Sequence, residues 1–372
     1  MATKKAKDSN VLSAKDALEL MKSEFKKSTL KLLSSDDAGT IKTWIDIGNY
    51  ALNYIISGDL EKGFPYGRTV EYHGDNSTGK TLIALMCAAN AQNKDSGLVF
   101  YYDPECSMDR DFARKLGADP DEILYDEKVD TVEELESRIE GVIRMKEASK
   151  SPQPILLILD SLAMLSTEHE METPEKSDMT KAKKMKQITR RLTRKMATNQ
   201  IGFLVLNHTI ANISPMPFAP KKTTTGGSAI PFLASVRLKT SIFKKVKNTK
   251  TKEVDGVIIK VDCIKNKLTR PFREAQIFFD FRTISIDKYS GLTELLTRKG
   301  ILEKKKIGIR NGFVFDGMEF IESDFGGLIE KNKWLPKFNE ALKAYDEEDK
   351  EVSVDVNNSD VVDIDDEAET DE

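Results

Sequence analysis

Two kinds of apolar pattern alternate along the first part of the chain. Residues 98–102 (LVFYY), 155–159 (ILLIL) and 202–206 (GFLVL) are dominated by unbroken apolar runs, and 69–73 reads as a shorter strand. Residues 81–92, 132–148 and 179–196 carry apolar side chains at helical spacing instead. Unbroken apolar strands belong to a sheet covered on both faces. Strand–helix–strand order makes that sheet parallel, with right-handed crossovers. After about Leu233 the pattern changes: residues 235–241, 256–263 and 274–280 read as strands with few helices between them. That predicts an antiparallel extension of the sheet. From Asp287 to Tyr345 a small mixed module follows, with a helix near 291–299, a hairpin turning at Asn311-Gly312, and a last helix near 334–345. Asn-Gly is a strong turn signal. At the other end, Leu18, Met21, Phe25, Leu30 and Leu33 recur near helical spacing after Ser13 and Asp16, an N-terminal capping pair, and predict one amphipathic helix from Ser13 to Leu33. Residues 34–39 read as a linker, and no internal repeat is present.

Composition narrows the class. With 39% hydrophobic and 32% charged residues the chain is globular and rather polar, which excludes wholesale disorder. No apolar run approaches the roughly 20 residues of a membrane-spanning helix, and residues 1–10 are charged, without a signal-peptide stretch. Cys87, Cys106 and Cys263 have neither paired nor metal-type spacing, so a reducing cytoplasm is the expected setting. The net charge of −4 hides an asymmetry. Residues 346–372 hold 14 Asp/Glu against one Lys, and the 345 residues before them carry 56 Lys/Arg against 47 Asp/Glu, a surplus of +9. An acidic tail after a basic body either competes with a polyanion for the basic surface or is a solvated solubility tail.

Candidate chemistry begins at Gly74-Asp75-Asn76-Ser77-Thr78-Gly79-Lys80-Thr81, which fits G-x-x-x-x-G-K-[ST] between a strand and a helix. Glycines let backbone N–H groups turn around phosphate oxygens, the lysine adds charge, and the threonine hydroxyl can ligate Mg²⁺. Asp160 ends the ILLIL run and is placed to reach that metal, or else to cap a helix. Glu105 follows Asp103-Pro104 at the end of LVFYY, where it can orient an attacking water or simply sit on a turn. Asn207 and His208 lie at another strand tip, with a sensor or a structural role open to the histidine. Between Lys176 and Lys195 nine Lys/Arg, Lys184 and Arg191 among them, flank the apolar stripe Met179, Ala182, Met185, Ile188, Leu192 and Met196. This is a solvated helix face or a phosphate-backbone contact. Residues 208–227 (HTIANISPMPFAPKKTTTGG) form a long segment without regular pattern. In it Gly226 and Gly227 can offer N–H groups to phosphates, Lys221 and Lys222 add charge, and Phe218 either stacks on a base or anchors the loop. Two basic segments beside one nucleotide site suggest nucleic acid coupled to ATP. Lys265 and Lys267 flank Asn266 after a strand and can meet one anion, as edge gatekeepers or as charges acting on a neighbour's γ-phosphate.

These residues, with Gly67-Arg68-Thr69-Val70-Glu71, Asp103-Pro104-Glu105, Phe112-Ala113-Arg114-Lys115-Leu116-Gly117, Thr223-Thr224-Thr225-Gly226-Gly227 and Lys265-Asn266-Lys267, resemble the RecA-family recombinases over about residues 41–300. Asn207-His208-Thr209 and Asp287-Lys288-Tyr289-Ser290-Gly291-Leu292 resemble the phage branch typified by UvsX. The resemblance implies a RecA-like P-loop ATPase core with a mainly parallel central α/β sheet over residues 41–286. It also implies an N-terminal oligomerisation helix and linker (1–40) and a disordered acidic tail (346–372) that restrains DNA access, whereas the small C-terminal α+β module (287–345) is read from the residue pattern. It implies ATP with Mg²⁺, helical filaments on single-stranded DNA, strand exchange with double-stranded DNA, a single-strand-binding protein and a loading mediator as partners, no membrane, and a host cytoplasm for a phage-encoded chain. Glu105 would activate water, Asp109 and Phe112 would hold adenine, and His208 would sense the γ-phosphate. Lys265 and Lys267 would reach the adjacent protomer's ATP. Met179 would be a base wedge in a first DNA loop near 172–179, and Gly226, Gly227 and Ser228 would contact DNA phosphates. A hexameric helicase and a non-hydrolysing regulatory paralogue are the alternatives for such a core.

Overall fold

The computed structural model describes residues 12–25, 30–35, 40–172, 180–211, 222–225, 227 and 229–351. The chain divides into two units, Met1–Lys42 and Thr43–Glu372. In the first, α1 (Ala14–Glu24) starts with the expected capping pair: the Asp16 N–H donates to Ser13 Oγ at 3.2 Å and the Ser13 N–H to Asp16 Oδ2 at 3.3 Å. The helix is shorter than expected. It closes at Phe25, whose N–H donates to Met21 O, and Leu33 lies in a separate 3₁₀ turn, Leu33–Ser35. Ser28 and Thr29, weak helix formers, intervene in the sequence. Leu20, Met21 and Phe25 are exposed.

The second unit opens with β1 (Trp44–Ile45), α2 (Tyr50–Ser57) and β2 (Phe64–Pro65), where β1 and β2 pair antiparallel. The α/β core follows: β3 (Thr69–Gly74), α3 (Lys80–Asp95), β4 (Leu98–Tyr102), α4 (Arg110–Lys115), β5 (Ile123–Asp126), α5 (Val132–Ser149), β6 (Ile155–Leu159), α6 (Glu168–Glu172), α7 (Thr180–Thr198) and β7 (Ile201–Ala211). Then come β8 (Lys222–Thr224), α8 (Ala229–Leu233), β9 (Val236–Lys247), β10 (Val254–Asn266), β11 (Arg273–Asp280) and β12 (Ser285–Ile286). One sheet runs in the order β12-β11-β10-β9-β3-β7-β6-β4-β5, with β8 paired to the end of β7. From β9 to β5 neighbours along this path are parallel, and β10, β11 and β12 are added antiparallel, as the change of pattern after Leu233 predicts.

The sheet separates two apolar layers. Strand β6 shows why its sequence is unbroken: Leu156 and Ile158 join the layer containing α2 and α3, and Ile155, Leu157 and Leu159 join the layer containing α5, α7 and α8. All five are fully buried, and each such side chain contributes about 1.5–3 kcal/mol of burial. Helix α7 faces the second layer with Met185, Ile188, Leu192 and Met196, four of the six residues of the stripe read from the sequence.

The C-terminal part contains α9 (Leu292–Arg298), the antiparallel meander β13 (Glu303–Ile307), β14 (Arg310–Phe315) and β15 (Met318–Ile321), then α10 (Phe325–Asn332) and α11 (Leu335–Glu351). The hairpin is not where Asn311-Gly312 placed it. Ile307 pairs with Arg310, so Gly308-Ile309 is the turn and Asn311 and Gly312 lie inside β14. Gly308 has φ +62° in open space, whereas a Cβ on Gly312 would come 2.6 Å from Phe320 O. The second turn is Asp316-Gly317, both at positive φ, the pairing a tight hairpin favours. Phe315, Phe320, Phe325, Trp334 and Phe338 form an aromatic cluster continuous with the α2/α3 layer. Helix α11 runs past Tyr345, and Asp346, the first residue of the acidic run, bonds the buried Arg273 at 2.6 Å. No helix among the described residues is long and apolar enough to cross a membrane.

Candidate nucleotide site at the carboxyl ends of four strands

Strands β3, β7, β6 and β4 are consecutive parallel neighbours, so their carboxyl ends form one rim. Ligands bind along such rims in open α/β sheets. The loop after β3 closes at Gly79, whose φ of +86° starts α3. Neither flanking glycine can carry a side chain. A Cβ on Gly74 would collide with the Thr240 carbonyl, and one on Gly79 would come 2.6 Å from Ile259 Cδ1. Thr78 Oγ1 donates to Asp75 O at 2.8 Å and meets Thr240 Oγ1 at 2.9 Å, tying the loop to β9. Lys80 is buried, and its Nζ donates to Gly74 O (3.1 Å) and Asp75 O (2.8 Å). Burial lowers the pKa of this ammonium, while Asp160, Glu105 and Asp75 oppose the shift. The start of a 16-residue helix and a desolvated cation make this an anion cradle.

Asp160 lies at the end of β6. Its Oδ2 accepts from Thr81 Oγ1 at 2.7 Å and from Tyr101 OH at 2.8 Å. Burial raises its pKa; the two hydroxyl bonds hold it down, and the charges of Glu105 and Asp103 push it further up. Among the described residues no group of three or more His, Cys, Asp or Glu could cage a metal alone. Two oxygens, Thr81 Oγ1 and Asp160 Oδ2, fit Mg²⁺, which is held by one or two protein oxygens together with waters and substrate phosphates. These two residues would hold the ion, and it would supply charge to the phosphate oxygens.

Glu105 is aimed by the turn after β4. Asp103 is fully buried, and its Oδ2 accepts from the N–H groups of Ser107 and Met108 and from Tyr125 OH at 2.9, 2.9 and 3.0 Å. The next turn brings Glu105 Oε1 within reach of the Ser161 hydroxyl, which donates to it, and to 3.1 Å from His208 Nε2. On the other side of the ring, His208 Nδ1 lies 3.5 Å from Lys80 Nζ. His208 therefore stands between the phosphate-loop lysine and Glu105. Asn207 anchors it: Asn207 Oδ1 accepts from the His208 N–H at 2.9 Å, and Asn207 Nδ2 donates to Glu71 Oε1 and to Thr225 O, both at 2.9 Å. Thr209 Oγ1 donates to Asp75 Oδ1.

Other expected residues fall into place more loosely. Asp109 caps α4 by accepting from the Phe112 N–H at 2.7 Å, and Phe112 is half-buried against the α3 layer. Lys265 Nζ donates to the carbonyls of Pro231 and Phe232 and Lys267 Nζ to Phe232, so both ammonium groups converge on the end of α8. Burial lowers the Lys265 pKa to about 8, with Lys267 and Arg237 adding to the shift and Glu71 opposing it. On α7, Lys184 pairs with Glu133 at 3.1 Å and Arg191 with Glu136 and Glu140 at 2.6 and 2.7 Å. All three acids lie on α5, and such exposed pairs contribute about 0–1 kcal/mol. The 208–227 segment is not structureless at its ends: Thr209, Ile210 and Ala211 of β7 pair with Thr224, Thr223 and Lys222 of β8. Gly227 packs so near α7 that a Cβ would come 2.9 Å from Ala182 Cβ. Met179, Phe218, Lys221, Gly226 and Ser228 lie outside the described residues, as do most of the 172–179 loop and residues 352–372.

Sequence reasoning missed Tyr101, Glu71 and Arg237. Tyr101 had a signal, a polar tip one residue from the end of an apolar run. The other two face each other across β3 and β9, 166 residues apart; Glu71 lies in a stretch that carries the resemblance, but no spacing in the sequence pairs it with Arg237.

Fold and rim define an α/β nucleotide-binding protein of the P-loop class. The model of the RecA N-terminal domain matches residues 12–283. RecA of Geobacter sulfurreducens is 32% identical over 292 residues, which cover 77% of this chain and 81% of that protein. RecA of Chlorobaculum parvum is 31% identical over 290 residues, covering 77% and 79%. The chain belongs to the RecA family.

Proposed function

We propose that this chain is an ATP-dependent DNA recombinase of the phage UvsX-type branch. It forms helical filaments on single-stranded DNA, with ATP and Mg²⁺ held between protomers, and exchanges strands with duplex DNA. One observation carries the reading: His208 touches Glu105 on one side and lies 3.5 Å from Lys80 on the other, while its neighbour Asn207 bonds Thr225 at the root of the 208–227 segment. A nucleotide in the cradle and a strand on that segment then act on one histidine, and ligands that favour the same state bind cooperatively. In this reading Glu105 draws a proton from the attacking water, and Lys80 with the loop N–H groups holds the phosphates. Lys265 and Lys267 of the adjacent protomer neutralise charge developing on the γ-phosphate.

The test is phosphate release with and without single-stranded DNA, alongside electron microscopy. Filaments and DNA-dependent release are expected. Closed rings that unwind duplex would identify a helicase instead, and absence of release a regulatory paralogue.

The raised pKa of Asp160 gives a second expectation. Folding disfavours its ionised form, so the carboxylate costs stability at pH 7, and the cost fades as pH falls and the group protonates. Asp160→Asn should hold or raise the melting temperature of the nucleotide-free chain, by about 1–4 °C, while Mg²⁺-dependent hydrolysis falls. A lower melting temperature would show that the carboxylate stabilises the free chain.

A further inference from the structure

A row of charges crosses the sheet behind the rim. Lys265 of β10 lies opposite Arg237 of β9, and Arg237 lies opposite Glu71 of β3. Residues directly opposite on adjacent strands share a face and interact. Glu71 has no exposed surface, and both its oxygens are engaged: Arg237 Nε donates to Oε2 at 2.5 Å and Asn207 Nδ2 to Oε1 at 2.9 Å. Arg237 extends to 3.5 Å from Thr224 Oγ1 in β8, and Asn207 bonds Thr225 O. His73, the next residue on the same face of β3, is held neutral, its pKa pushed down to about 3 by burial and by Arg237, Lys239 and Lys80, so it supplies no charge to the row.

We propose that Glu71, paired with Arg237, is a positioning residue that couples nucleic-acid occupancy to ATP turnover. The carboxylate touches no substrate. It fixes Asn207, and through it the backbone of His208, and by way of Arg237 it fixes the foot of the 208–227 segment. It also supplies the one negative charge in a row that would otherwise set Arg237 against Lys265. A charge pair with its carboxylate fully buried suits this task because it has one low-energy arrangement: breaking it leaves a stranded charge, so movement of the segment's foot cannot be absorbed locally and is passed to His208. This inference rests on the proposed function for its kinetic form, but the linkage it describes is internal to the chain.

The test compares the wild type with Glu71→Gln and with Glu71→Gln combined with Arg237→Met. Glutamine keeps the shape and the acceptor for Asn207 but turns an amide group on Arg237. Removing one partner of a buried pair destabilises, whereas replacing both charges is often neutral, so the double variant should recover the melting temperature of the wild type. We expect both variants to keep DNA-independent hydrolysis within about twofold and to lose about tenfold or more of the stimulation by single-stranded DNA, the range of allosteric couplings. Full stimulation in Glu71→Gln would overturn the proposal. Recovery of stimulation together with stability in the double variant would also overturn it, by reducing the pair to a fold-stabilising one. Should wild-type hydrolysis ignore DNA, the functional reading fails, and amide hydrogen exchange at Thr223, Thr224 and Thr225 decides on Glu71. A non-hydrolysable ATP analogue should slow exchange there in the wild type and not in Glu71→Gln; equal slowing in both would overturn the linkage.

Discussion

Chains carrying Lys265→Ala with Lys267→Ala should lose DNA-stimulated ATP hydrolysis by about 10³-fold or more, the scale of a trans-acting cation on a γ-phosphate. ATP binding by the phosphate loop should survive. Both ammonium groups now rest on the last carbonyls of α8, a weak electrostatic berth at a partly exposed helix end. Under the proposed function a γ-phosphate from an adjacent copy would offer them more. Loss of rate alone could come from a disturbed α8, so the decisive measurement is mixing. In the proposed filament a head-to-tail assembly would join unlike surfaces, so each nucleotide would take its phosphate loop from one copy and its lysines from the next. When the lysine variant is mixed with a chain lacking Glu105, about one interface in four combines an intact loop and glutamate with intact lysines. Two inactive preparations should thus recover activity on mixing. Failure to recover, with both variants still assembling on DNA, would place the lysines outside the neighbour's site.

Glu105→Gln is that second variant. It should lower turnover by about 10²–10⁴-fold, the range for loss of a general base, with ATP and DNA binding intact. The amide keeps an acceptor for the Ser161 hydroxyl and a similar volume at the turn set by Asp103. What it loses is the basicity to take a proton from water. Retained hydrolysis would remove Glu105 from that role. A loss of nucleotide binding would show instead that the Glu105–His208 contact holds the cradle together.

The central sheet was legible because its strands are buried on both faces. A run such as ILLIL has few other homes, and the loop GDNSTGKT announces its own flanking strand and helix. Strand β5 was not legible. It is a four-residue edge with Leu124 and Tyr125 exposed, so burial wrote no pattern into it. At the C-terminal hairpin, local turn propensity competed with tertiary packing and lost: Asn311-Gly312 is a better turn by composition than Gly308-Ile309, yet Gly312 sits where β15 and Ile307 leave no room for a side chain. In the site, residues at strand ends were readable from position alone, since parallel strands deliver them to one rim. The basic face of α7 was readable as charge, but its pairing was not read. Glu133, Glu136 and Glu140 recur on α5 at spacings of three and four, an acidic stripe that could have suggested a partner for Lys184 and Arg191. Glu71 and Arg237 could not have been found that way, because each is an ordinary charged residue until β3 and β9 are set side by side.

That same seam limits how the chain can change length. In β9, Val236, Leu238 and Thr240 face one layer and Arg237 the other, and Thr240 presses on the phosphate loop. Deleting or inserting one residue before Thr240 would turn every one of these side chains to the opposite face, unseating the loop and the buried charge together. The pairing with β10 shifts register between Cys263 and Lys265, opposite Leu238 and Arg237, and again near Ile242 and Lys244 and beside Val254. Evolutionary gains and losses of residues in this hairpin should therefore collect at its tip, between Lys247 and Val254, and avoid its base.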